Sequence, residues 1–289
     1  MRIAIASGKG GTGKTTLAVN LASYLATKKD YKVNFIDCDV EEPNSHLFLK
    51  GDWSSEEKQY VPIPKIDHEN CLGESCQKCA QECRFKVLIW MVDHIMVFPE
   101  LCHGCGLCEY ICPADAITET TREIGVLRSG SINGINFFGG LLRIGEAMAP
   151  PLISKVKDRG ESQGSDIQII DAPPGTSCPV IESLDGAEYV VVVAEPTPFG
   201  MHDLKLTVEL LRKLDYQFGV VINRGGMGDD ALNNYLEKED IPLLATLPHS
   251  REAARTYSEG KLLINSLTDF EDRFAGIWEN ICSRTATTA

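Results

Sequence analysis

Short apolar runs alternate with amphipathic stretches over most of the chain. Arg2–Ala6 is an apolar run typical of a buried strand, and residues 15–27 place Leu17, Leu21 and Leu25 at the spacing of one helical face. Further strand-like runs are Lys32–Ile36, Ile167–Ile170, Tyr189–Ala194, Phe218–Ile222 and Leu243–Leu247. Further helical patterns are Met201–Leu214, Asp230–Glu239 and Phe270–Ile281. This alternation predicts an α/β fold with a mostly parallel sheet and helices on both faces.

The interval from Tyr60 to Thr120 breaks this alternation. It has few helical patterns, a hairpin-like stretch at Val87–Phe98 and a dense group of cysteines. We therefore expect a discontinuous α/β domain of residues 1–59 and 121–289, with residues 60–120 inserted as a smaller α+β domain. The glycine-rich segment Ser129–Gly145 is expected to be a flexible connection or a partner surface.

Charge and composition narrow the function classes. The net charge of −13 argues against a general nucleic-acid binder, because phosphate contacts need clustered lysine and arginine. No apolar run approaches the roughly 18 residues of a membrane span, so no membrane insertion is expected. The chain begins directly with a strand-like run and a glycine-rich loop, which predicts a cytoplasmic protein.

Eleven cysteines are an odd number for a disulfide framework and a large number for a cytoplasmic protein. Eight of them lie between Cys71 and Cys112, whereas Cys38, Cys178 and Cys282 are scattered. Local crowding of this kind indicates a metal centre. Cys38 and Cys282 are expected to be buried.

A glycine-rich loop joins the first predicted strand to the first predicted helix. Residues 8–15, Gly-Lys-Gly-Gly-Thr-Gly-Lys-Thr, fit the phosphate-loop pattern G-x-x-x-x-G-K-[ST] in its strand–loop–helix context. The backbone N–H groups of such a loop and the helix N-terminus cradle phosphates. Lys14 is expected to reach the β- and γ-phosphates of ATP, and Thr15 to bind Mg²⁺.

The same loop carries a second lysine, Lys9, and so resembles the deviant Walker A motif of the MinD/ParA/nitrogenase-iron-protein ATPases. The resemblance implies that Lys9 reaches the ATP of a partner across a nucleotide-sandwich dimer. It also implies that the nucleotide-binding loop is completed by Gly10, Gly11, Thr12, Gly13 and Thr16.

Three later segments resemble further motifs of that P-loop family. Asp37-Cys38-Asp39 resembles the first switch, and the resemblance implies that Asp39 positions or activates the attacking water. Ile169-Ile170-Asp171, followed by Ala-Pro-Pro-Gly, resembles the Walker B and second switch segment, which places Asp171 next to Mg²⁺. Val221-Ile222-Asn223-Arg224 resembles the adenine-contacting turn, with Asn223 on the base. For each carboxylate, an ordinary buried or helix-capping role is the alternative.

The second cysteine group, Cys102-x₂-Cys105-x₂-Cys108-x₃-Cys112-Pro113, is the run found in bacterial ferredoxins. A structural zinc is the alternative, although zinc ribbons usually pair two C-x₂-C knuckles at longer separation. The first group, Cys71-x₄-Cys76-x₂-Cys79-x₃-Cys83, has a longer first gap and Arg84 in place of the usual proline. A [2Fe–2S] cluster is therefore the alternative to [4Fe–4S] for the first group.

The ferredoxin pattern implies two [4Fe–4S] clusters whose ligands are exchanged between the runs. One cluster would take Cys71, Cys76, Cys79 and Cys112, and the other Cys102, Cys105, Cys108 and Cys83. The whole chain resembles MinD-superfamily ATPases with an inserted ferredoxin domain. Cys178 has the offset from Asp171 of a cluster ligand in the nitrogenase iron protein. Since no second cysteine lies between Thr120 and Ser177, we expect Cys178 to be a packed residue, with an interfacial metal or redox role as the alternative.

Two functions compete. The first is a Mg²⁺-dependent ATPase, dimeric with itself or with a paralogue of the same build, that couples ATP hydrolysis to electron transfer to a redox partner. The second is an Mrp-like ATPase that carries an iron–sulfur cluster or metal cofactor to an assembly partner, although the C-x₂-C pair that those scaffolds have near the C-terminus is missing here. A positioning ATPase of the MinD kind is a third, which the acidic last helix disfavours because division-site MinD proteins bind membrane through a basic one.

Overall fold

The structure is a computed structural model that describes residues 1–51, 53–228 and 230–285. Its strands are β1 (Arg2–Ala6), β2 (Val33–Asp37), β3 (Trp53–Ile66), β4 (Leu88–Met91), β5 (His94–Val97), β6 (Ile117–Ile132), β7 (Ile135–Leu142), β8 (Ile167–Asp171), β9 (Tyr189–Ala194), β10 (Phe218–Gly225) and β11 (Leu243–Pro248). Its helices are α1 (Lys14–Lys28), α2 (Lys78–Glu82), α3 (Leu107–Tyr110), α4 (Pro150–Ser162), α5 (Cys178–Leu184), α6 (Pro198–Lys213), α7 (Ala231–Lys238), α8 (Arg251–Ser258), α9 (Leu263–Ser266) and α10 (Thr268–Thr285).

One large sheet has the strand order β11-β10-β9-β1-β8-β2-β7-β6-β3. The pairs from β11 through β7 are all parallel, and β1 lies between β8 and β9. The predicted α/β fold with a mostly parallel sheet is therefore confirmed. β4 and β5 form a separate antiparallel hairpin within the predicted Val87–Phe98 stretch.

Helices cover both faces of the sheet. Successive residues of a strand point to opposite faces, so one strand contributes side chains to both sides. Phe35 and Phe137 belong to the large core that also contains α1 and α10. Their neighbours Ile36 and Phe138 face the other side, where they pack against Gly160 of α4. No helix in the described ranges combines the length and the apolar character that crossing a membrane requires.

The expectation that Ser129–Gly145 is a flexible connection is wrong. β6 and β7 occupy most of it, and Ile135, Phe137 and Phe138 are buried. β7 pairs in parallel with β2, so its side chains pack into the core on both faces of the sheet. The turn between β6 and β7 is Asn133-Gly134, and both residues have positive φ, 47° and 80°. An Asn-Gly pair between apolar runs is a hairpin signal, and it was available in the sequence.

The chain divides into two compact units, one of residues 1–56, 127–141 and 153–289, and one of residues 57–126 and 142–152. We call the second unit the cysteine module. Its core contains Val87, Leu88 and Ile95 from the β4–β5 hairpin, together with Cys102. Residues 142–152 join this unit through two contacts. Glu146 forms a buried ion pair with Arg122, and the Arg143 N–H donates a backbone hydrogen bond of 2.9 Å to the Ile124 carbonyl.

Candidate nucleotide site and cysteine module

The first candidate site lies at the carboxyl ends of neighbouring parallel strands. The glycine-rich loop follows β1, Asp37 ends β2, Asp171 ends β8, and Asn223 lies on β10. Because parallel strands end at the same edge of a sheet, segments far apart in sequence meet here. Asp37 and Asp171 are direct partners in the register of β2 and β8.

The loop between β1 and α1 has a conformation that depends on glycine. Gly11 and Gly13 have φ of 81° and 93°, a region that other L-residues rarely adopt. A Cβ at Gly13 would also overlap the Asn223 amide. That amide donates a hydrogen bond of 2.7 Å to the carbonyl of Thr12, so the β10 turn is attached directly to the loop.

Lys14 is buried, and its Nζ lies 2.8 Å from Oδ1 of Asp171. Ser45, which the sequence analysis missed, is also buried, and its hydroxyl donates to Oδ2 of Asp171 at 3.3 Å. The Ser45 N–H lies 3.4 Å from Oδ2 of Asp37. The loop lysine, the first switch and the Walker B-like strand therefore form one buried polar group.

Burial dominates the electrostatics of this group. It raises the pKa of Asp37 to about 7, with a further contribution from the Asp171 charge. It raises the pKa of Asp39 to about 6, although the Lys14 ammonium opposes the shift. Burial lowers the pKa of Lys14, but the Asp171 carboxylate outweighs it and the net shift is upward. The lysine thus stays charged and compensates the carboxylates around it.

A cavity of about 540 Å³ adjoins this group. Most of the predicted nucleotide-site residues line it, namely Lys9, Gly10, Gly11, Gly13, Lys14, Thr15, Thr16, Asp39 and Asn223. Thr12 and Asp171 do not line the cavity but contact residues that do. The Asn223 amide donates to the Thr12 carbonyl, and the Lys14 ammonium donates to Asp171. The sequence analysis missed the opposite wall, to which His249, Ser250 and Tyr257 contribute. The cavity is large enough for a nucleotide.

A family model described as the CobQ/CobB/MinD/ParA nucleotide-binding domain matches residues 3–264. The chain belongs to this family. A solved structure of MinD with Mg-ADP from Pyrococcus horikoshii aligns with a TM-score of 0.61 at 18% identity, over 100% of this chain and 98% of that one. Members of the family share a nucleotide-binding ATPase fold, and the cavity beside Lys14 lies in that domain.

Two sequence relatives cover most of the chain. Protein MJ0579 of Methanocaldococcus jannaschii is 29% identical over 96% of this chain and 98% of its own length. A protein of Pyrococcus horikoshii named iron–sulfur cluster carrier protein is 24% identical over 88% of this chain and 76% of its own. The family resemblance predicted from the phosphate loop is therefore confirmed at the level of the ATPase domain.

The second candidate site is the cysteine module, in which the eight crowded cysteines surround two hollows. Cys71, Cys76, Cys79 and Cys112 line one hollow. Cys83, Cys102, Cys105 and Cys108 line the other, together with Cys79. The division follows the exchanged pattern, since each hollow takes a cysteine from the other run.

The thiols of the module are free, and burial raises the pKa of several of them. Burial is the largest cause for Cys79, Cys102 and Cys108, and it brings the pKa of Cys108 to about 11. Among the described residues, no three His, Cys, Asp or Glu side chains are close enough to hold a single metal ion. Backbone N–H groups already point at sulfur, from Ala116 to Cys112 at 3.3 Å and from Gly104 to Cys102 at 3.5 Å.

The scattered cysteines differ from expectation in two cases. Cys178 begins α5 and is exposed, so the prediction that it is packed is wrong. Cys282 is only half-buried, although α10 packs on the core. Cys38 is fully buried as expected, and burial raises the pKa of its thiol to about 12.

Proposed function

We propose that this protein is a dimeric, Mg²⁺-dependent ATPase that holds two [4Fe–4S] clusters and couples its nucleotide state to electron transfer with a redox partner. The position of the eight module cysteines around two hollows, each lined by at least four of them, carries the proposal, because the same chain holds a complete phosphate loop. The dimer would form with a second copy or with a paralogue of the same build.

The donor chemistry of the module fits iron–sulfur clusters. Sets of four thiolates, with apolar walls and backbone N–H groups aimed at sulfur, are what such clusters require. When bound, the clusters would supply one-electron chemistry. Because one chain provides all four thiols of each set, the module is suited to hold its clusters firmly.

The residues of the nucleotide cavity fit ATP hydrolysis. The phosphates of ATP would compete with Asp171 for the Lys14 ammonium, which lies 2.8 Å from that carboxylate. Thr15 and Asp171 would then hold Mg²⁺. Asp39 lines the same cavity, and its pKa is about 6. A general base works best when its pKa lies near the pH of the reaction, so this value suits a group that positions and deprotonates water.

The second candidate function is iron–sulfur cluster delivery. It is favoured by the name of the relative from Pyrococcus horikoshii, iron–sulfur cluster carrier protein. In that case one set of thiols would release its cluster to a recipient. The two functions make opposite demands, because a redox centre keeps its iron and a carrier loses it.

One experiment separates the two functions. Protein purified without oxygen is expected to hold about eight irons and eight sulfides per chain. We would titrate the reduction potentials with ADP, with a non-hydrolysable ATP analogue, and with ATP in the Asp39→Ala variant, and in parallel measure iron transfer to an apo-ferredoxin. A nucleotide-dependent shift, on the order of 60 mV per tenfold change in affinity, with retained iron supports the redox ATPase. Unchanged potentials with ATP-stimulated iron loss support the carrier, and zinc without iron contradicts both.

Lys9 tests the dimer. In the Lys9→Ala variant we expect near-normal nucleotide affinity, because Lys14 still meets the phosphates, but no ATP-dependent dimer and slow hydrolysis. Light scattering with and without ATP measures the first and phosphate release the second. If Lys9→Ala dimerises normally with ATP, its proposed role across the dimer is wrong, while phosphate-loop binding still stands.

A further inference from the structure

A buried glutamate lies between two cations of the nucleotide cavity. Glu195 directly follows β9, the strand between β1 and β10, and it is 5% exposed. Lys9, on the loop after β1, and Arg224, on β10, both line the cavity. The family resemblance implies a role for Lys9 but none for Glu195.

The Glu195 carboxylate contacts both cations. Its Oε1 lies 2.7 Å from Nη1 of Arg224, and its Oε2 lies 3.7 Å from Nζ of Lys9. Arg224 in turn donates from Nη2 to the carbonyl of Gly11 at 3.3 Å. One carboxylate therefore connects the two sides of the phosphate loop, at Lys9 and at Gly11.

The position of Glu195 is itself well defined. Its carbonyl accepts a hydrogen bond of 2.8 Å from Thr197 N, and a Cβ at Gly200 would overlap that same carbonyl. The Thr197 hydroxyl caps α6 by accepting from Gly200 N at 3.0 Å. The start of α6 thus packs directly on the Glu195 backbone, so the carboxylate is presented from a rigid element.

The charges explain why the side chain remains there. A buried carboxylate is strongly unfavourable unless cations compensate it, and Lys9 and Arg224 provide that compensation. Without the carboxylate, the Lys9 ammonium and the Arg224 guanidinium would lose the contact that positions both of them. Both are more than a third exposed. Arg224 would keep its hydrogen bond to the Gly11 carbonyl, whereas Lys9 would be free to turn toward any phosphate in the cavity.

We propose that Glu195 is a positioning residue of the nucleotide site, which fixes the side chain of Lys9 within the phosphate loop and holds Arg224 against that loop, and so sets where the Lys9 ammonium lies when ATP binds. The expected effect on hydrolysis rests on the proposed ATPase function. The restraint of the Lys9 side chain by Glu195 does not, since it exists without turnover.

The test is a double-mutant cycle of Glu195→Gln and Lys9→Ala. Glutamine keeps the shape and removes the charge. We expect hydrolysis by Glu195→Gln to fall about tenfold, with ATP affinity equal to or above that of the wild type because both cations remain. The double variant should hydrolyse no more slowly than Lys9→Ala alone, since Glu195 acts through Lys9. Glu239→Gln, which breaks an ion pair of 2.8 Å with Arg212 away from the cavity, is the matched control and should behave as wild type.

A second readout does not depend on activity. Brief acetylation followed by mass spectrometry should label Lys9 severalfold faster in Glu195→Gln than in the wild type, while exposed Lys213 is labelled equally in both. If the wild type hydrolyses no ATP, the proposed function fails and this labelling still decides the inference. Equal labelling of Lys9, multiplicative losses of hydrolysis in the double variant, or loss of nucleotide binding in Glu195→Gln would each overturn the positioning role.

Discussion

The nucleotide site and the cysteine module both bury acidic groups, but they compensate them differently. In the nucleotide site, burial raises the pKa of Asp37 and Asp39, and the buried Lys14 supplies a positive charge beside Asp171. In the module, burial raises the pKa of Cys79, Cys102 and Cys108, and neighbouring thiols raise it further. Thiolates in such a place become favourable when a metal binds. The first site carries its own cation, whereas the second is expected to depend on iron.

Removing iron is the strongest way to break this comparison. With chelator and oxidant, we expect the cysteine module to lose its hydrogen-exchange protection, because metal-binding free energy is folding free energy in small metal domains. Residues 1–51 and 167–222 should keep theirs, and ATP affinity should change by less than about threefold. Exchange mass spectrometry before and after chelation measures both. Equal protection of the module in both states would show that its apolar core suffices.

The two sites also differ in how much of them could be predicted from sequence. The phosphate loop is contiguous, and β1 was predicted with its observed bounds, because glycines and apolar periodicity act locally. The segment of β7 was misread because Gly139 and Gly140 suggest a loop. In the structure a Cβ at Gly139 would lie 3.3 Å from the Phe137 ring, so that glycine marks close packing in a strand.

Other residues of the nucleotide site could not be found from local patterns at all. Ser45 and Glu195 matter only through partners far away in sequence, Asp171 and Arg224 respectively. A lone serine in a loop and a glutamate after a strand carry no pattern of their own. The exchanged ligand sets of the cysteines stay a prediction, which rests on the ferredoxin spacing because that spacing directs each fourth cysteine away from its own run.

Lys14→Ala is expected to have the largest effect in the nucleotide site. It removes the cation that we propose to bind the phosphates, and it leaves the Asp171 carboxylate uncompensated. Nucleotide affinity should fall by about two orders of magnitude, which corresponds to roughly 2.7 kcal/mol. Calorimetric titration with Mg-ATP measures it. The iron content should not change, and a parallel loss of iron would contradict the independence of the two sites.

Cysteine substitutions sharpen the comparison inside the module. Cys112→Ser should lower the iron content from about eight to about four per chain. Cys71→Ser should do the same, and the double variant should still hold about four, because both thiols line one hollow. Loss of all iron in the double variant would mean that the two thiols serve different clusters. Cys38→Ser is the matched control, since that buried thiol lies outside the cysteine module and lines neither hollow.

The smallest expected effect concerns the pH dependence of stability. The pKa of Asp37 is about 7 in the folded chain against an ordinary value of 3.8, chiefly because the carboxyl is buried and next because Asp171 is close. Between these two pH values the Asp37 carboxyl is ionised in the unfolded chain but protonated in the folded chain, so unfolding releases a proton. The contribution of Asp37 to stability is therefore complete below about pH 4 and is lost as the pH rises to about 7.

Asparagine has no such titration, so the Asp37→Asn variant isolates it. The free energy of unfolding of Asp37→Asn, minus that of the wild type, should increase from pH 5 to about pH 7 and then level off. Urea unfolding at constant ionic strength measures this difference, with exposed Asp215→Asn as the control that should show no trend. A difference that is flat from pH 5 to pH 8 would mean that Asp37 is already ionised at low pH. Lys14 would then compensate all the carboxylates of the nucleotide site, and the contrast with the cysteine module, which is expected to depend on iron, would be sharper.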